Sequence, residues 1–225
     1  MIMCHPSCLS FVARAIQREE IENKRVLEIG SFNINGSARS IVELLKPSKY
    51  IGIDIKKGKD VDVVCNIEDI IDRFGAESFD VVLTTELLEH VKNWKLAVSN
   101  IKRVLKKNGI VIITTRSRGY YYHPDPDDFW RFEVDDIKKI FSDFDIEMLD
   151  RDSSRPGIFL KARKPMNFNE NNLDAMLLYN IVAGKNLLSV NDIGGFHILW
   201  RKKAKLFFQI LQRILDDTEK IVFKV

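Results

Sequence analysis

Two hydrophobic periods alternate from residue 7 to about residue 163, and that alternation is what most constrains the fold. Short apolar runs ending in Gly or Asp read as buried strands: Arg25–Gly30, Tyr50–Asp54, Val61–Cys65, Phe79–Thr84 and Ile110–Thr115. Segments with helical spacing lie before and between them. Ser7 is placed to cap a helix carrying Val12, Ala15 and Ile16. Further helices are expected over Ser37–Leu45, which Pro47 closes, over Glu68–Phe74, and over Trp94–Leu105 with Gly109 as its stop. Strands alternating with helices imply a doubly wound, mostly parallel α/β sheet with helices on both faces. The pattern then changes. A helix over Glu133–Phe141 is followed by strand-like runs Asp143–Arg151 and Ile158–Arg163, whose short joint predicts a terminal antiparallel hairpin. Lys164-Pro165 reads as a boundary, giving a domain over 1–163 and a basic, mostly helical C-terminal extension over 164–225.

Charge supports that division. Of 35 Lys+Arg and 32 Asp+Glu, residues 1–160 hold 24 and 26, net −2, and residues 161–225 hold the remaining 11 and 6, net +5. A near-neutral domain demands neither a nucleic-acid nor a membrane partner. The three cysteines, Cys4, Cys8 and Cys65, make no disulfide framework and fit a reducing cytosol. Cys4-His5-x-x-Cys8 has too few ligands for a structural zinc site without a second cluster. A secretory leader pattern and an 18-residue apolar stretch are both missing, so the expected location is cytoplasmic.

The first strand ends in Glu28-Ile-Gly30-Ser31-Phe32-Asn33-Ile34-Asn35-Gly36-Ser37. In a doubly wound fold the ligand sits beyond the strands' carboxyl ends at the switch point, where this loop lies. Asp54 follows Gly30 by 24 residues at the end of the second strand, where an acid can accept hydrogen bonds from both hydroxyls of a ribose. A pyrophosphate-binding loop would need glycines where Phe32 and Asn35 stand, which argues against a nicotinamide dinucleotide.

With these residues in place, the chain resembles the class I S-adenosylmethionine-dependent methyltransferases over about residues 7–163, in particular a methyltransferase type 11-like, small bacterial and archaeal subgroup with Gly-Ser-x-x-x-Asn-Gly-Ser loops. Glu28, Gly30, Phe32 and Ile34 occupy the positions of the family's first motif. Tyr-Ile-Gly-Ile-Asp54, Asp62-Val-Val-Cys-Asn66, the segment from Phe79 through Glu86 to Glu89-His90-Val, Leu-Lys-Lys-Asn-Gly109 and Asp127-Asp-Phe-Trp130-Arg-Phe132 follow in family order. The resemblance implies a Rossmann-like seven-stranded sheet and S-adenosyl-L-methionine as cofactor. It places Glu28 in the first motif and Gly30, Ser31 and Asn33 at the methionine end. It sets Asp54 on the ribose, Ile55, Asn66 and Ile67 around the adenine, and Thr85 and Glu86 beside the methionine.

Methyl transfer to a hydroxyl profits from a general base or a metal ion. Candidates are Glu86, Glu89, His90 and His123. On one helical turn Glu86, Glu89 and His90 would share a face, and with His123 they would suit a divalent ion, as in the similar Glu-x-x-Glu-His of small-RNA 2′-O-methyltransferases. The favoured reading is metal-free, with His123 as base, His90 as its rival, and Leu-Glu-His shaping the pocket floor. Residues 116–132 follow the fifth strand on the ligand side. There Tyr120, Tyr121, Tyr122 and Asp127 are expected to face substrate, and Trp130-Arg131-Phe132 to be structural.

In the extension, Trp200, Ala204, Phe207, Leu211, Ile214 and Leu215 recur at helical spacing beside Arg201, Lys202, Lys203, Lys205 and Arg213. Peripheral membrane contact through 196–215 is one use of such a helix. Packing on its own domain, or on a second copy as a homodimer, is preferred. The expected function is methylation, on oxygen, of a small-molecule or saccharide acceptor. The alternatives are a metal-assisted RNA 2′-O-methyltransferase and a catalytically degenerate cofactor-binding module.

Overall fold

The computed structural model describes residues 5–34, 36–124 and 127–192. The N-terminal helix α1 (Pro6–Ala15) is followed by α2 (Arg18–Ile21), β1 (Arg25–Ile29), α3 (Arg39–Glu43), β2 (Lys49–Asp54) and β3 (Val63–Val64). Then come α4 (Ile70–Phe74), β4 (Phe79–Thr85), α5 (Trp94–Val104), β5 (Leu105–Arg116), β6 (Trp130–Arg131), α6 (Val134–Ile140), β7 (Asp145–Arg151), β8 (Gly157–Arg163), β9 (Leu178–Asn180) and β10 (Lys185–Leu187). Seven strands form one sheet in the order β3-β2-β1-β4-β5-β8-β7, in which β8 runs antiparallel to both its neighbours. The expected α/β class and terminal hairpin are both present.

Alternation along β1 shows how sequence becomes layers. Val26 joins Val81, Leu83, Ile110 and Ile112 under α1 and α3, whereas Leu27 and Ile29 face α4 and α5 with Val82, Val111 and Ile113. Both faces are apolar because both are covered by helices. The chain leaves β1 toward β2 and β3, then crosses back to β4 on the other side. That reversal opens a crevice at the carboxyl ends of β1 and β4.

Several local expectations are corrected. His5, not Ser7, caps α1: its Nδ1 accepts from the Ser7 amide at 3.3 Å, and Ser7 Oγ donates to Asp152 at 2.7 Å. Gly109 does not stop α5. Strand β5 begins at Leu105, and Gly109 lies in an irregular stretch where the pairing jumps from Phe79↔Leu105 to Val81↔Ile110. A Cβ there would lie 2.7 Å from the Asp80 carbonyl, so close backbone approach demands glycine.

The packed unit also runs past Lys164. Among the described residues of the extension, 164–192 carry β9 and β10, which with β6 make a second, three-stranded antiparallel sheet. Leu178 and Leu187 are buried in the main core, with Phe168, Leu173 and Met176 packed against it. The Lys164 ammonium donates to the carbonyls of Lys102 and Leu105 at 2.9 and 2.7 Å. The sequence signal missed this because two- and three-residue strands are too short to show a period. The basic stripe at 196–215 lies outside the described residues. No described helix is long and apolar enough to cross a membrane.

Lys102 on α5 ties these parts together. It is fully buried, and it donates to Ile140 O (2.6 Å), both Asp143 carboxylate oxygens (2.9 and 2.7 Å) and Asn171 Oδ1 (2.7 Å). Removing one partner of such a pair strands a buried charge. Asp143→Ala should therefore lower unfolding free energy by about 3–5 kcal/mol, read from urea midpoints. The double variant Lys102→Met/Asp143→Leu should lose clearly less, and an equal loss would show that packing, not charge, governs the site.

Candidate functional site

The crevice at the strand ends holds a cavity of about 340 Å³, within the usual size range for a small-molecule site. Gly30, Asp54, Ile55, Asn66 and Ile67 line it, as expected, and so do His90 and Asp127. Leu87 and Phe129, to which sequence reasoning assigned no role of their own, complete the apolar wall with Ile29 and Ile53. Gly30 has φ +81°, and a Cβ there would meet Leu87 at 3.2 Å. The turn is pinned to β2 by Gly30 N and Ser31 N, which both donate to Ile53 O at 2.9 Å.

The polar groups in the cleft have fixed orientations. Asp54 Oδ1 accepts from Lys56 N at 2.9 Å, and Asn66 Oδ1 caps the following turn through Glu68 N at 3.1 Å. Asn100 of α5 donates to the carbonyls of Ile67 and Glu68. An apolar slot with a carboxylate at one edge and an amide at another suits an adenosine: flat faces for the ring, an acceptor for ribose hydroxyls. The residues present fit the nucleoside part of S-adenosylmethionine.

Other expected cofactor residues stand away from this cavity. Ser31 is buried under Gly52, whose Cβ would lie 2.6 Å from Ser31 Oγ. Asn33 braces the loop, donating to Asp60 Oδ2 at 2.6 Å and accepting from Gly36 N at 2.9 Å. Glu28 accepts from Tyr50 OH at 2.8 Å inside a network in which Arg39 pairs with Asp62, and Asp62 in turn accepts from Gly52 N. Thr85 ends β4, and the buried Glu86 beyond it pairs with Arg116, itself 2 % exposed. Glu86 takes a left-handed φ of +53°, a conformation costly for a residue with a Cβ, and its amide donates to Thr114 O at 2.9 Å. Burial, then the neighbouring Glu89 and Cys8, push the Glu86 carboxyl well above the carboxylate range, against the pull of Arg116.

The residues after β5 bring a second group to the edge of the cleft. His123 Nδ1 lies 2.9 Å from Asp128 Oδ2, which also accepts from the His123 amide at 2.8 Å. Although burial opposes it, the Arg131 guanidinium and His123 hold the Asp128 carboxyl well below the usual range. The His90 ring packs edge-on against His123 with centroids 4.8 Å apart, and its Nδ1 is bonded to the Asp127 carbonyl. Glu89 is fully buried, and its Oε2 accepts from Thr115 Oγ1 at 2.9 Å. So Glu89, His90 and His123 come together, while Glu86 turns away to Arg116.

Of the tyrosines, Tyr121 is 55 % exposed, whereas Tyr120 and Tyr122 are buried. Tyr120 lies between Tyr121 (centroids 4.5 Å) and the Arg116 guanidinium (4.1 Å), and burial pushes its phenol up to about 12. Tyr121 thus faces outward on the ring of Tyr120, Asp127 lines the cavity, and the expectation that Tyr120 and Tyr122 face substrate does not fit their burial. Asp128, which contacts His123, and Arg116, which pairs with Glu86, are two buried charged residues at the site that the sequence did not single out. The one hint for Asp128 was its spacing of three from Arg131.

A family model described as a methyltransferase domain matches residues 27–113. Among curated proteins, (S)-coclaurine N-methyltransferase from Thalictrum flavum subsp. glaucum is 25% identical over 99 residues, 43% of this chain and 27% of that protein. The match thus spans about a quarter of that relative's length. Among solved structures, Burkholderia thailandensis 1,6-didemethyltoxoflavin-N1-methyltransferase, with 1,6-didemethyltoxoflavin and S-adenosylhomocysteine bound, superposes with a TM-score of 0.55 at 13% identity, covering 71% of this chain and 79% of that one. An S-adenosylmethionine-dependent methyltransferase from Mesorhizobium loti gives a TM-score of 0.55 at 14% identity, covering 70% and 98%. At these identities the superpositions show a shared fold.

Burial pushes Glu28 up to about 7 in the folded protein, partly offset by Tyr50 and Arg39. A carboxyl whose folded value is raised binds its proton more tightly when folded. Its contribution to stability is therefore full below the unfolded value and is lost as pH climbs to the folded one. Unfolding free energy should fall between about pH 4.5 and pH 7, by as much as about 3 kcal/mol from this group. Denaturant titrations across that window should show a flatter slope for Glu28→Gln, and an unchanged slope would assign the pH dependence elsewhere.

Proposed function

We propose that the chain, whose residues 27–113 match a methyltransferase-domain model, is a class I S-adenosylmethionine-dependent methyltransferase that moves the methyl group of S-adenosylmethionine to a hydroxyl of a small-molecule or saccharide acceptor. The observation that carries this reading is the junction of two groups at one cleft: Asp54 and Asn66 in the cavity, and His90 lining that cavity while packed against His123. Small-molecule acceptors are supported by the names of the coclaurine and didemethyltoxoflavin enzymes. Both are named for nitrogen acceptors, and the choice of oxygen here rests on the imidazole–carboxylate cluster. The net charge of −2 over residues 1–160 counts against an RNA acceptor.

The cofactor brings a methyl group on a sulfonium, so the chemistry needs in-line alignment more than strong acid–base force. Asp54 accepts the ribose hydroxyls and fixes the cofactor's position along the cleft. Leu87 and Phe129 exclude water from its apolar wall. Without a bound cation, His123 is the group that would take the acceptor's proton: Asp128 engages Nδ1, which leaves the lone pair at Nε2. Tyr121 offers the acceptor an exposed ring on which to stack.

Two measurements test this. Calorimetry with S-adenosylmethionine should show binding that Asp54→Ala weakens by roughly tenfold or more, the scale of lost hydrogen bonds to a charged partner. Unchanged affinity would put the ribose elsewhere. On a saccharide and phenol panel scored by S-adenosylhomocysteine release, His123→Asn should keep cofactor affinity and lower turnover by about 10²-fold or more. Turnover only on amines, with the variant fully active, would overturn the hydroxyl reading.

A further inference from the structure

Three hydrogen-bond acceptors meet at the edge of the cleft with no hydrogen between them. Glu89 is fully buried. Its Oε2 is taken by Thr115, and its Oε1 has no hydrogen-bond partner among the described residues. His123 Nε2 lies 4.0 Å from that oxygen. The other nitrogen of His123, Nδ1, is 2.9 Å from the Asp128 carboxylate and 3.3 Å from the Tyr121 carbonyl. Both neighbours only accept, so Nδ1 carries the hydrogen and a neutral ring leaves its lone pair at Nε2. The same reasoning fixes His90, whose Nδ1 is bonded to the Asp127 carbonyl. One ligand atom from each of Glu89, His90 and His123 lies within 4.8 Å of the others.

From this geometry we infer that Glu89, His90 and His123 bind a divalent transition-metal cation. Two imidazoles and one carboxylate suit zinc, cobalt, manganese or iron better than magnesium or calcium, which prefer all-oxygen shells. The orienting partners are already in place: a carboxylate behind one histidine, a backbone carbonyl behind the other, and a threonine hydroxyl on the glutamate. A proton on His123 would answer Glu89 only across 4.0 Å and would leave His90 unused. Arg116, a buried cation nearby, is engaged by Glu86. At metal–ligand distances of about 2.1 Å the ligand atoms would stand about 3.4 Å apart, so the cluster must draw in by roughly an ångström. Three protein ligands leave a coordination position open.

Its use rests on the methyltransferase reading. His90 puts the cluster on the cofactor cleft, and an acceptor hydroxyl at the open position would lose its proton to solvent more readily. The cation then performs the activation that His123 would otherwise perform alone, and His123 acts as its ligand.

The test uses the full chain, stripped with chelator and titrated with Co²⁺, Zn²⁺ and Mg²⁺ by calorimetry and visible absorption. One equivalent of Co²⁺ should bind and give d–d bands without a thiolate charge-transfer band, with Zn²⁺ competing and Mg²⁺ failing to compete. Glu89→Gln and His90→Gln should each weaken Co²⁺ binding by at least tenfold, and Asp128→Asn by about tenfold, the scale of a lost orienting partner. Circular dichroism and urea midpoints report whether each variant is folded. A thiolate band, binding untouched in folded Glu89→Gln and His90→Gln, or no Co²⁺ binding at all would overturn the site. Loss of cofactor binding with Co²⁺ binding intact would instead sink the methyltransferase reading and leave the cation site standing.

Discussion

The histidine side of the cleft depends on one buried ion pair, Asp128 with Arg131. Arg131 has five N–H groups and no exposure, and each N–H has an acceptor. Nη1 meets Asp128 Oδ1 at 2.6 Å and Trp130 O at 2.7 Å, Nη2 meets Asp128 Oδ2 at 2.7 Å and Tyr121 O at 2.9 Å, and Nε meets Tyr120 O at 3.4 Å. One side chain therefore gathers the carbonyls of the tyrosine run and the carboxylate that orients His123. A buried pair adds little net stability against an apolar substitute. What it supplies here is geometry: the described backbone carbonyls of Tyr120 and Tyr121 and the Asp128 carboxylate are gathered on one buried side chain.

The second buried pair explains which acids are available. Glu86 and Glu89 lie three residues apart, and the sequence treats them as equals. The backbone separates them. At Glu86 the chain turns through a left-handed conformation and delivers its carboxylate to Arg116 at the end of β5. Glu89 sits in the following 3-10 turn (Leu88–His90), beside the histidines. A helical turn across 86–90, which would have aligned all three on one face, does not form.

This is where sequence reasoning met its limit. Buried strands are legible because their apolar runs are dictated by cover on both faces. Gly30 and Asp54 are legible because topology sends the carboxyl ends of β1 and β2 to the crevice, whereas Ile55, Asn66 and Ile67 are expected there only through the family resemblance. Contacts made by side chains distant in sequence are not legible in that way. Nothing in Thr-Thr-Arg116-Ser says that the arginine will be buried against Glu86, and nothing in Pro-Asp-Asp128-Phe-Trp separates the aspartate that orients His123 from the one that lines the cavity. The loop with Phe32 in a glycine's place is a further case. Its Ser31 and Asn33 have the polarity of ligand-binding residues, yet Asn33 is spent on Asp60, and Ser31 is buried against Gly52 with no hydrogen-bond partner for its Oγ among the described residues.

The extension belongs to the same account. Strand β9 pairs with β6, so that Trp130 faces Asn180 and Arg131 faces Tyr179 across the ladder. The Ile181 amide donates to Phe129 O at 2.9 Å, and the Phe129 amide donates to Glu89 O at 2.8 Å. A continuous run of backbone hydrogen bonds thus leads from residue 181 through the wall of the cavity to the turn that carries Glu89 and His90. Trp130 Nε1, bonded to Val91 O at 3.0 Å, fixes the other end of that turn. Residues 164–192 brace the segment that positions Glu89, His90 and His123, and the placement of those groups depends on a part of the chain that lies beyond the β7–β8 hairpin of the main sheet.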